Sequence, residues 1–204
     1  MIKNKIKVLK EKFKKFEIDG YIVPKNDEYF SEYAKNDRLK NISNFSGSAG
    51  IAVILRKQNY LFVDGRYTIQ AQQESDRNFN IIEIHKRLPH TIIKNYNLGY
   101  DPKLFTSKNI KNYFSNNNLI PINDNLIDQI FKFKEKKTKP FYSLDKNITG
   151  ETHKLKILKI TNFLKSNNAD YLFISAPENV AWLLNIRGYD NPNSPIPNAR
   201  LIID

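Results

Sequence analysis

The 204-residue sequence contains no cysteine and only three histidines, His85, His90 and His153. Without thiols the chain cannot form a disulfide framework, a thiolate nucleophile, a cysteine-ligated zinc finger or an iron–sulfur cluster. The sequence His-Glu-x-x-His is also absent, and Pro89 between His85 and His90 makes those two a poor helical ligand pair. We therefore expect surface histidines and no metal site in this chain.

Long hydrophobic runs are missing as well. No apolar run approaches the roughly 18–20 residues that span a bilayer. Lysines interrupt the apolar residues of segment 1–16, so this segment lacks the apolar centre of a signal peptide. We expect a cytoplasmic protein with no membrane partner.

Positive charge is abundant: 33 Lys and Arg against 21 Asp and Glu give a formal net charge of +12. Such a balance invites a nucleic-acid interpretation. Glycine and tryptophan are scarce while Lys, Asn and Ile are plentiful, so a codon bias toward AT explains the charge without any ligand. We therefore expect no nucleic-acid partner, and a basic nucleic-acid-binding protein is kept as an alternative.

The densest basic run, residues 132–140, ends in a proline and has no regularly spaced aromatic side chains. Such a run is typical of a solvated linker. We place a basic linker at residues 132–148, between a first domain at 1–131 and a second region at 149–204.

Repeated changes of hydrophobic period predict an α/β fold for residues 1–131. Helices are predicted at residues 2–16, about 27–35, 66–75, 88–95 and 106–117, and strands at 21–23, 51–55, 60–63, 80–84 and 97–100. Four polar residues separate the second and third strands, which predicts a β-hairpin. An antiparallel hairpin makes the predicted sheet mixed.

The pattern then begins again about 150 residues further along. Segment 168–174 resembles segment 18–23, and segment 199–204 stands where residues 52–55 stood. We predict that Thr149 caps a helix with an apolar stripe at Leu155, Leu158 and Phe163. The repeat ends on a strand without a hairpin partner, so we expect an unpaired strand and interpret residues 149–204 as the start of a second, truncated domain of the same fold.

Three segments carry a family resemblance: NFSGSAG (44–50), VDGRYTIQA (63–71) and AWLLNIRGYD (181–190). They resemble the N-terminal half of large, three-domain Xaa-Pro aminopeptidases (aminopeptidase P) of the creatinase/prolidase family. Further matches lie at Tyr21–Pro24, Ser31–Tyr33 and Gly99–Asp101 with Pro102. The resemblance implies two related creatinase-type, ribonuclease-H-like domains, each a mixed sheet flanked by helices, ahead of a "pita-bread" catalytic domain.

The resemblance also implies a chemistry that this chain does not carry itself. The family removes an N-terminal residue that precedes proline, using two manganese ions that activate a water. The metal ligands lie on the pita-bread domain, and none maps onto this sequence. We therefore expect no catalytic residue, no metal ligand and no cofactor here. The expected role is substrate binding and assembly in a homo-oligomer, with a stand-alone peptide- or protein-binding module as the alternative.

One residue of the DGRY motif is a candidate for substrate binding. The resemblance places Arg66 at a position that contacts the bound peptide, and a guanidinium suits charge-assisted hydrogen bonds to a carbonyl or carboxylate. The alternative is that Arg66 only pairs with a surface carboxylate. We expect Asp64 to shape the turn with its side chain, Gly65 to adopt a positive φ, and Tyr67 to lie in the core.

Two loops could be taken for binding sites. Residues 46–50 are small enough to cradle a phosphate, but they lack the P-loop spacing and precede a strand, so we interpret them as a close-packed turn. The proline-rich loop at 191–197 is typical of a spacer, and its Asn191, Asn193 and Ser194 depart from the apolar residues common in the family.

Overall fold

The computed structural model describes residues 2–31, 34, 36–75, 77–131, 133, 140–191 and 193–204. It divides into two compact units, Met1–Lys134 and Glu135–Asp204. Residues 132 and 134–139 of the predicted basic linker lie outside the described residues, as do Glu32 and Tyr33 of one family segment. Within the described residues, no helix is long and apolar enough to cross a membrane.

The first unit alternates helices and strands. Its helices are α1 (Ile2–Lys12), α2 (Arg38–Ser43), α3 (Thr68–Glu74), α4 (Pro89–Ile92) and α5 (Ser107–Phe114), with 3₁₀ turns at Gly65–Tyr67 and Pro102–Leu104. Its strands are β1 (Gly20–Pro24), β2 (Gly50–Leu55), β3 (Asn59–Val63), β4 (Asn80–Glu83), β5 (Asn97–Tyr100) and β6 (Asn118–Pro121). The predicted α/β alternation and the hairpin are confirmed.

These strands form one six-stranded sheet in the order β4-β3-β2-β1-β5-β6. Strand β2 runs antiparallel to both of its neighbours, and the other pairs are parallel, so the sheet is mixed as predicted. Five strands consequently end at the same edge of the sheet. That edge carries the residues discussed below.

Helices cover both faces of this sheet. Tyr21 and Val23 of β1 belong to the hydrophobic core that α1 and α2 close, whereas Ile22 belongs to the core that α5 closes. Successive strand residues point to opposite faces, and central strands buried on both sides are apolar throughout. The apolar run of β1 follows from this arrangement.

The predicted helix at 27–35 is wrong for its described residues, 27–31 and 34. The buried Asp27 carboxylate accepts the backbone N–H groups of Tyr29 (2.9 Å) and Ser31 (3.0 Å), which fixes turns there instead. The helix of this region is α2, whose N-cap Asp37 accepts the N–H of Lys40. The sequence analysis missed α2 and β6 because both are short.

The second unit contains α6 (Lys146–Thr149), α7 (His153–Ser166) and α8 (Pro177–Leu184). Its strands are β7 (Tyr142–Ser143), β8 (Leu172–Ile174), β9 (Ile186–Arg187) and β10 (Leu201–Ile203). Strands β8 and β10 pair antiparallel, and β7 pairs antiparallel with β9. The prediction of an unpaired terminal strand is therefore wrong, because β10 pairs with β8 along one of its edges.

The predicted apolar stripe of α7 is also wrong. Leu155, Leu158 and Phe163 are exposed, and the buried positions are Lys156 and Leu164. Thr152 rather than Thr149 caps the helix, because its hydroxyl accepts the N–H of Leu155. The buried face of α7 is therefore displaced by about one residue from the predicted face. A search for apolar residues does not detect this face, because it includes the buried Lys156.

One detail of the internal repeat recurs at atomic level. Lys5 Nζ of α1 donates to the carbonyl of Asn41 (3.3 Å), three residues before the left-handed Asn44 that ends α2. Lys156 Nζ of α7 donates to the carbonyl of Trp182 (2.8 Å), three residues before the left-handed Asn185 that ends α8. In both units a lysine thus donates a hydrogen bond to a backbone carbonyl in the last turn of a helix.

The two units differ in how well their sheets are covered. The cross-strand pair Ile22 and Val53 of the first unit is buried, whereas the pair Phe173 and Ile202 of the second is 59% and 65% exposed. An uncovered face contributes little hydrophobic stabilisation.

We expect amide hydrogen exchange to be faster in β8 and β10 than in β1 and β2, because fewer apolar contacts hold the second sheet closed. Exchange mass spectrometry on a monomeric sample measures this. Equal protection of the two strand pairs would contradict the expectation.

Candidate functional site

The DGRY turn follows directly after β3. The carboxylate of Asp64 accepts the backbone N–H of Arg66 (3.0 Å) and also its Nε (2.9 Å). One side chain thereby caps the 3₁₀ turn Gly65–Tyr67 and orients the guanidinium. Arg66 is 72% exposed, so the turn presents a positively charged, oriented group to the solvent.

Asp64 shapes the turn with its side chain and Tyr67 packs against the hydrophobic core, as predicted, whereas Gly65 differs from its prediction. Gly65 does not have a positive φ, contrary to the prediction. A Cβ at Gly65 would instead lie 3.1 Å from Oε1 of Glu83, so glycine leaves room for that side chain. Tyr67 packs edge-on against Phe45 at 5.8 Å between ring centroids, and its hydroxyl lies 2.9 Å from Ser48 Oγ.

The electrostatics of the turn keep Asp64 ionised. The hydrogen bond from the Arg66 side chain, then that from its backbone N–H, lower the pKa of Asp64 to about 2. The Nε2 atom of His85 lies 3.5 Å from the other carboxylate oxygen. Since a depressed carboxyl pKa leaves the charged form in place at all higher pH, the Asp64–Arg66 pair persists throughout the neutral range.

The small-residue segment 46–50 is a close-packed turn, as predicted. A Cβ at Gly47 would overlap the ring of Phe45. The N–H and the hydroxyl of Ser46 both donate to the carboxylate of Glu74, each at 2.7 Å. The carboxylate of Glu74 therefore occupies the donors that a phosphate would need, and it would repel an anion.

The described residues do not fit a dinuclear metal centre. Among residues 2–131, 140–191 and 193–204, apart from the gaps given above, no group of three or more His, Asp or Glu side chains could hold a metal ion.

A cavity of about 330 Å³ opens beside the turn. Its wall includes Asp64 and His85 together with residues that follow β1, precede β2 and lie on α5. The sequence analysis missed this cavity, because residues from separate segments build it, and the motifs in some of those segments do not show that the segments meet.

The fold is that of a creatinase-type N-terminal domain, a mixed α/β sheet covered on both faces, with a second, smaller unit after it. The chain belongs to this family. Residues 5–130 match one family described as Creatinase/Prolidase N-terminal domain, and residues 132–204 match a second family of the same description. The predicted resemblance and fold class are thereby confirmed.

Similar proteins are named as Xaa-Pro aminopeptidases. The chain is 33% identical to Xaa-Pro aminopeptidase ApepP of Drosophila melanogaster, over 91% of this chain and 33% of that protein. It is 31% identical to Xaa-Pro aminopeptidase 2 of Rattus norvegicus, over 94% of this chain and 31% of that protein. The chain thus spans about a third of the length of the curated relatives that it matches.

A solved structure matches over the whole chain. The X-prolyl aminopeptidase of Caenorhabditis elegans, described as a cytosolic enzyme with a di-nuclear active site, superposes with a TM-score of 0.87 at 26% identity. The match covers 100% of this chain and 37% of that enzyme. This chain therefore corresponds to the N-terminal part of Xaa-Pro aminopeptidase-like proteins.

Proposed function

We propose that this chain forms the non-catalytic N-terminal region of an Xaa-Pro aminopeptidase, in which Arg66 holds the peptide substrate. The orientation of Arg66 by Asp64 at the carboxyl edge of the sheet carries the proposal. The hydrogen bond from Nε to the Asp64 carboxylate (2.9 Å) orients the guanidinium, and an oriented guanidinium recognises a carbonyl or carboxylate with less loss of entropy. The substrate is a peptide with proline in second position.

The C. elegans enzyme supports two further features of the proposal, a di-nuclear metal site and a cytosolic location, and manganese and the homo-oligomer follow from the family resemblance alone. The C. elegans enzyme has a di-nuclear active site, and we assign the corresponding two metal ions, manganese, to residues outside this chain. That enzyme is cytosolic, which supports a cytoplasmic location here, and the complete protein assembles as a homo-oligomer, a dimer. Residues 1–131 and 149–204 are the two creatinase-type domains, and residues 132–148 join them.

A chimaera tests this function. Residues 1–204 replace the matching 37% of the C. elegans enzyme, and hydrolysis of a short Xaa-Pro peptide is measured after manganese loading. We expect a folded chimaera with measurable kcat/KM. A folded, metal-loaded and inactive chimaera would contradict the proposal, and strong binding of the 204-residue chain to duplex DNA, weakening steeply with salt, would favour the nucleic-acid alternative.

A further inference from the structure

The cavity beside the DGRY turn lies where α/β sheets bind their ligands. Its wall includes the residues that follow the carboxyl ends of β1, β3 and β4. Ligands of open α/β sheets bind outside the carboxyl ends of the strands. The volume of about 330 Å³ corresponds to the smaller end of ligand sites, which run from about 300 to 1,000 Å³.

The wall of this cavity is mainly apolar. Its large side chains come from β2, β3, the end of β4, the second 3₁₀ turn and α5: Ile51, Phe62, Ile84, Leu104, Phe105 and Tyr113. Lys25 also lies in the wall, but its Nζ is paired with Asp37 at 2.5 Å. Because the one buried cation of the wall already has its counter-ion, the cavity suits an uncharged, apolar group.

The mouth of the cavity is formed by Phe30, which has a φ of 60° and is 48% exposed. A bulky side chain rarely adopts this left-handed conformation, and such strain persists only where the surrounding structure imposes it. Here the buried Asp27 imposes it, because its side chain holds the N–H groups on either side of Phe30 and its carbonyl accepts the N–H of Phe30 (3.0 Å). The loop thus keeps an aromatic ring at the mouth.

The cavity and Arg66 share one residue. Asp64 lines the cavity and holds the guanidinium of Arg66 at 2.9 Å. Asp64 therefore connects the cavity wall to the guanidinium that the proposed function assigns to the peptide. We propose that this cavity is a specificity subsite that takes one apolar or aromatic side chain of the peptide held by Arg66. This inference rests on the proposed function, because it takes the ligand to be the peptide.

Binding of two peptides to the 204-residue chain tests the subsite. The probes are Ala-Pro-Phe-amide and Ala-Pro-Ala-amide, titrated in ¹H–¹⁵N NMR spectra. We expect the phenylalanine peptide to bind at least about tenfold more tightly, because its ring is removed from water. The amide signals of Ile84, Phe105 and Tyr113 should shift with this peptide and not with the alanine peptide.

Three variants test whether the cavity causes the preference for the phenylalanine peptide. Ala49→Leu fills the cavity from its wall and Phe30→Gly removes the ring at the mouth while relieving the strained φ, so both should reduce the preference for phenylalanine to about threefold or less. Leu88→Ala removes an exposed apolar side chain of the same unit outside the cavity wall, and it should leave the preference unchanged. Melting curves establish that each variant is folded.

The outcomes separate the two proposals. Equal affinity of the two peptides, shifts confined to other residues, or no binding up to the solubility limit would overturn the subsite. Arg66→Ala should weaken both peptides by the same factor. If it leaves both affinities unchanged while the preference for phenylalanine persists, the role of Arg66 fails and the subsite stands.

Discussion

In the chimaera with a peptidase domain, Arg66→Ala should lower kcat/KM for a short Xaa-Pro peptide by a factor of about 10–150. The lost contact is a charge-assisted hydrogen bond, which contributes about 1.5–3 kcal/mol when it persists in the transition state. Arg66→Lys should recover only part of the loss, because an ammonium keeps the charge without the planar fork. Steady-state kinetics measure both effects.

Stability should hardly respond to the same change. Arg66 is 72% exposed, and an exposed ion pair contributes about 0–1 kcal/mol. Arg56 offers a matched control: it is also an exposed arginine paired with an aspartate, Asp19 at 3.6 Å, but it follows β2 at the opposite end of the hairpin. Arg56→Ala should keep kcat/KM within about twofold of the parent. Equal kinetics for Arg66→Ala and the parent, in folded proteins, would reduce Arg66 to a surface ion-pair partner.

Asp128→Asn should lower the free energy of unfolding by about 3 kcal/mol, because it leaves a buried guanidinium without its principal counter-ion. Arg38 is only 5% exposed. Its Nε and Nη2 donate to the two oxygens of Asp128, each at 2.7 Å, and Nη2 also donates to Glu28 at 2.8 Å. Burial lowers the pKa of Arg38, but the hydrogen bonds and the charges of Asp128 and Glu28 outweigh it, so the pKa is raised.

Urea unfolding of the 204-residue chain measures this loss. Asp124→Asn is the control, because it removes an exposed carboxylate of the same polar pocket and should change stability by less than about 0.5 kcal/mol. The double variant Arg38→Met with Asp128→Leu should recover much of the loss, since an apolar pair leaves no charge to desolvate. A loss below about 1 kcal/mol for Asp128→Asn would show that water or Glu28 replaces the missing charge.

The same cluster predicts a response to acid. Burial raises the pKa of Glu28, but its backbone hydrogen bond and the charge of Arg38 outweigh burial and lower that pKa below its usual value. A carboxyl group with a lowered folded pKa stabilises the protein above its unfolded pKa, about 4.3, and loses that contribution as the pH falls through the folded pKa. The contribution of Glu28 is therefore complete at neutral pH.

How far the sequence predicts the structure depends on the range of the interaction involved. The hairpin of β2 and β3 was predictable because four polar residues between two apolar runs determine it locally. The partnership of Arg38 with Asp128 was not, because 90 positions separate the two residues and both look like surface residues in the sequence. Lys156 misled the prediction for α7 in the same way, since burial of a lysine depends on acceptors from α8 and Asn185.

The same distinction between local and long-range interactions applies to the candidate site. Arg66 was predictable because the DGRY motif is contiguous, and the structure adds that Asp64 orients it. The cavity could not be predicted, because its apolar residues are spaced like ordinary core residues of their own strands and helices. Only the assembled sheet edge brings Phe30, Ile84 and Tyr113 to one opening.

The exposed apolar side chains of the second unit affect how isolated chains attract one another in solution. Of the fifteen large hydrophobic side chains that are exposed in the described part of the chain, eleven lie between Phe141 and Ile202. At low ionic strength the net charge of +12 keeps chains apart, but at about 0.1 M salt the repulsion is screened beyond about 10 Å. Apolar attraction is not screened, and sulfate strengthens it. We therefore expect electrostatic repulsion between isolated chains to give way to apolar attraction as salt is added.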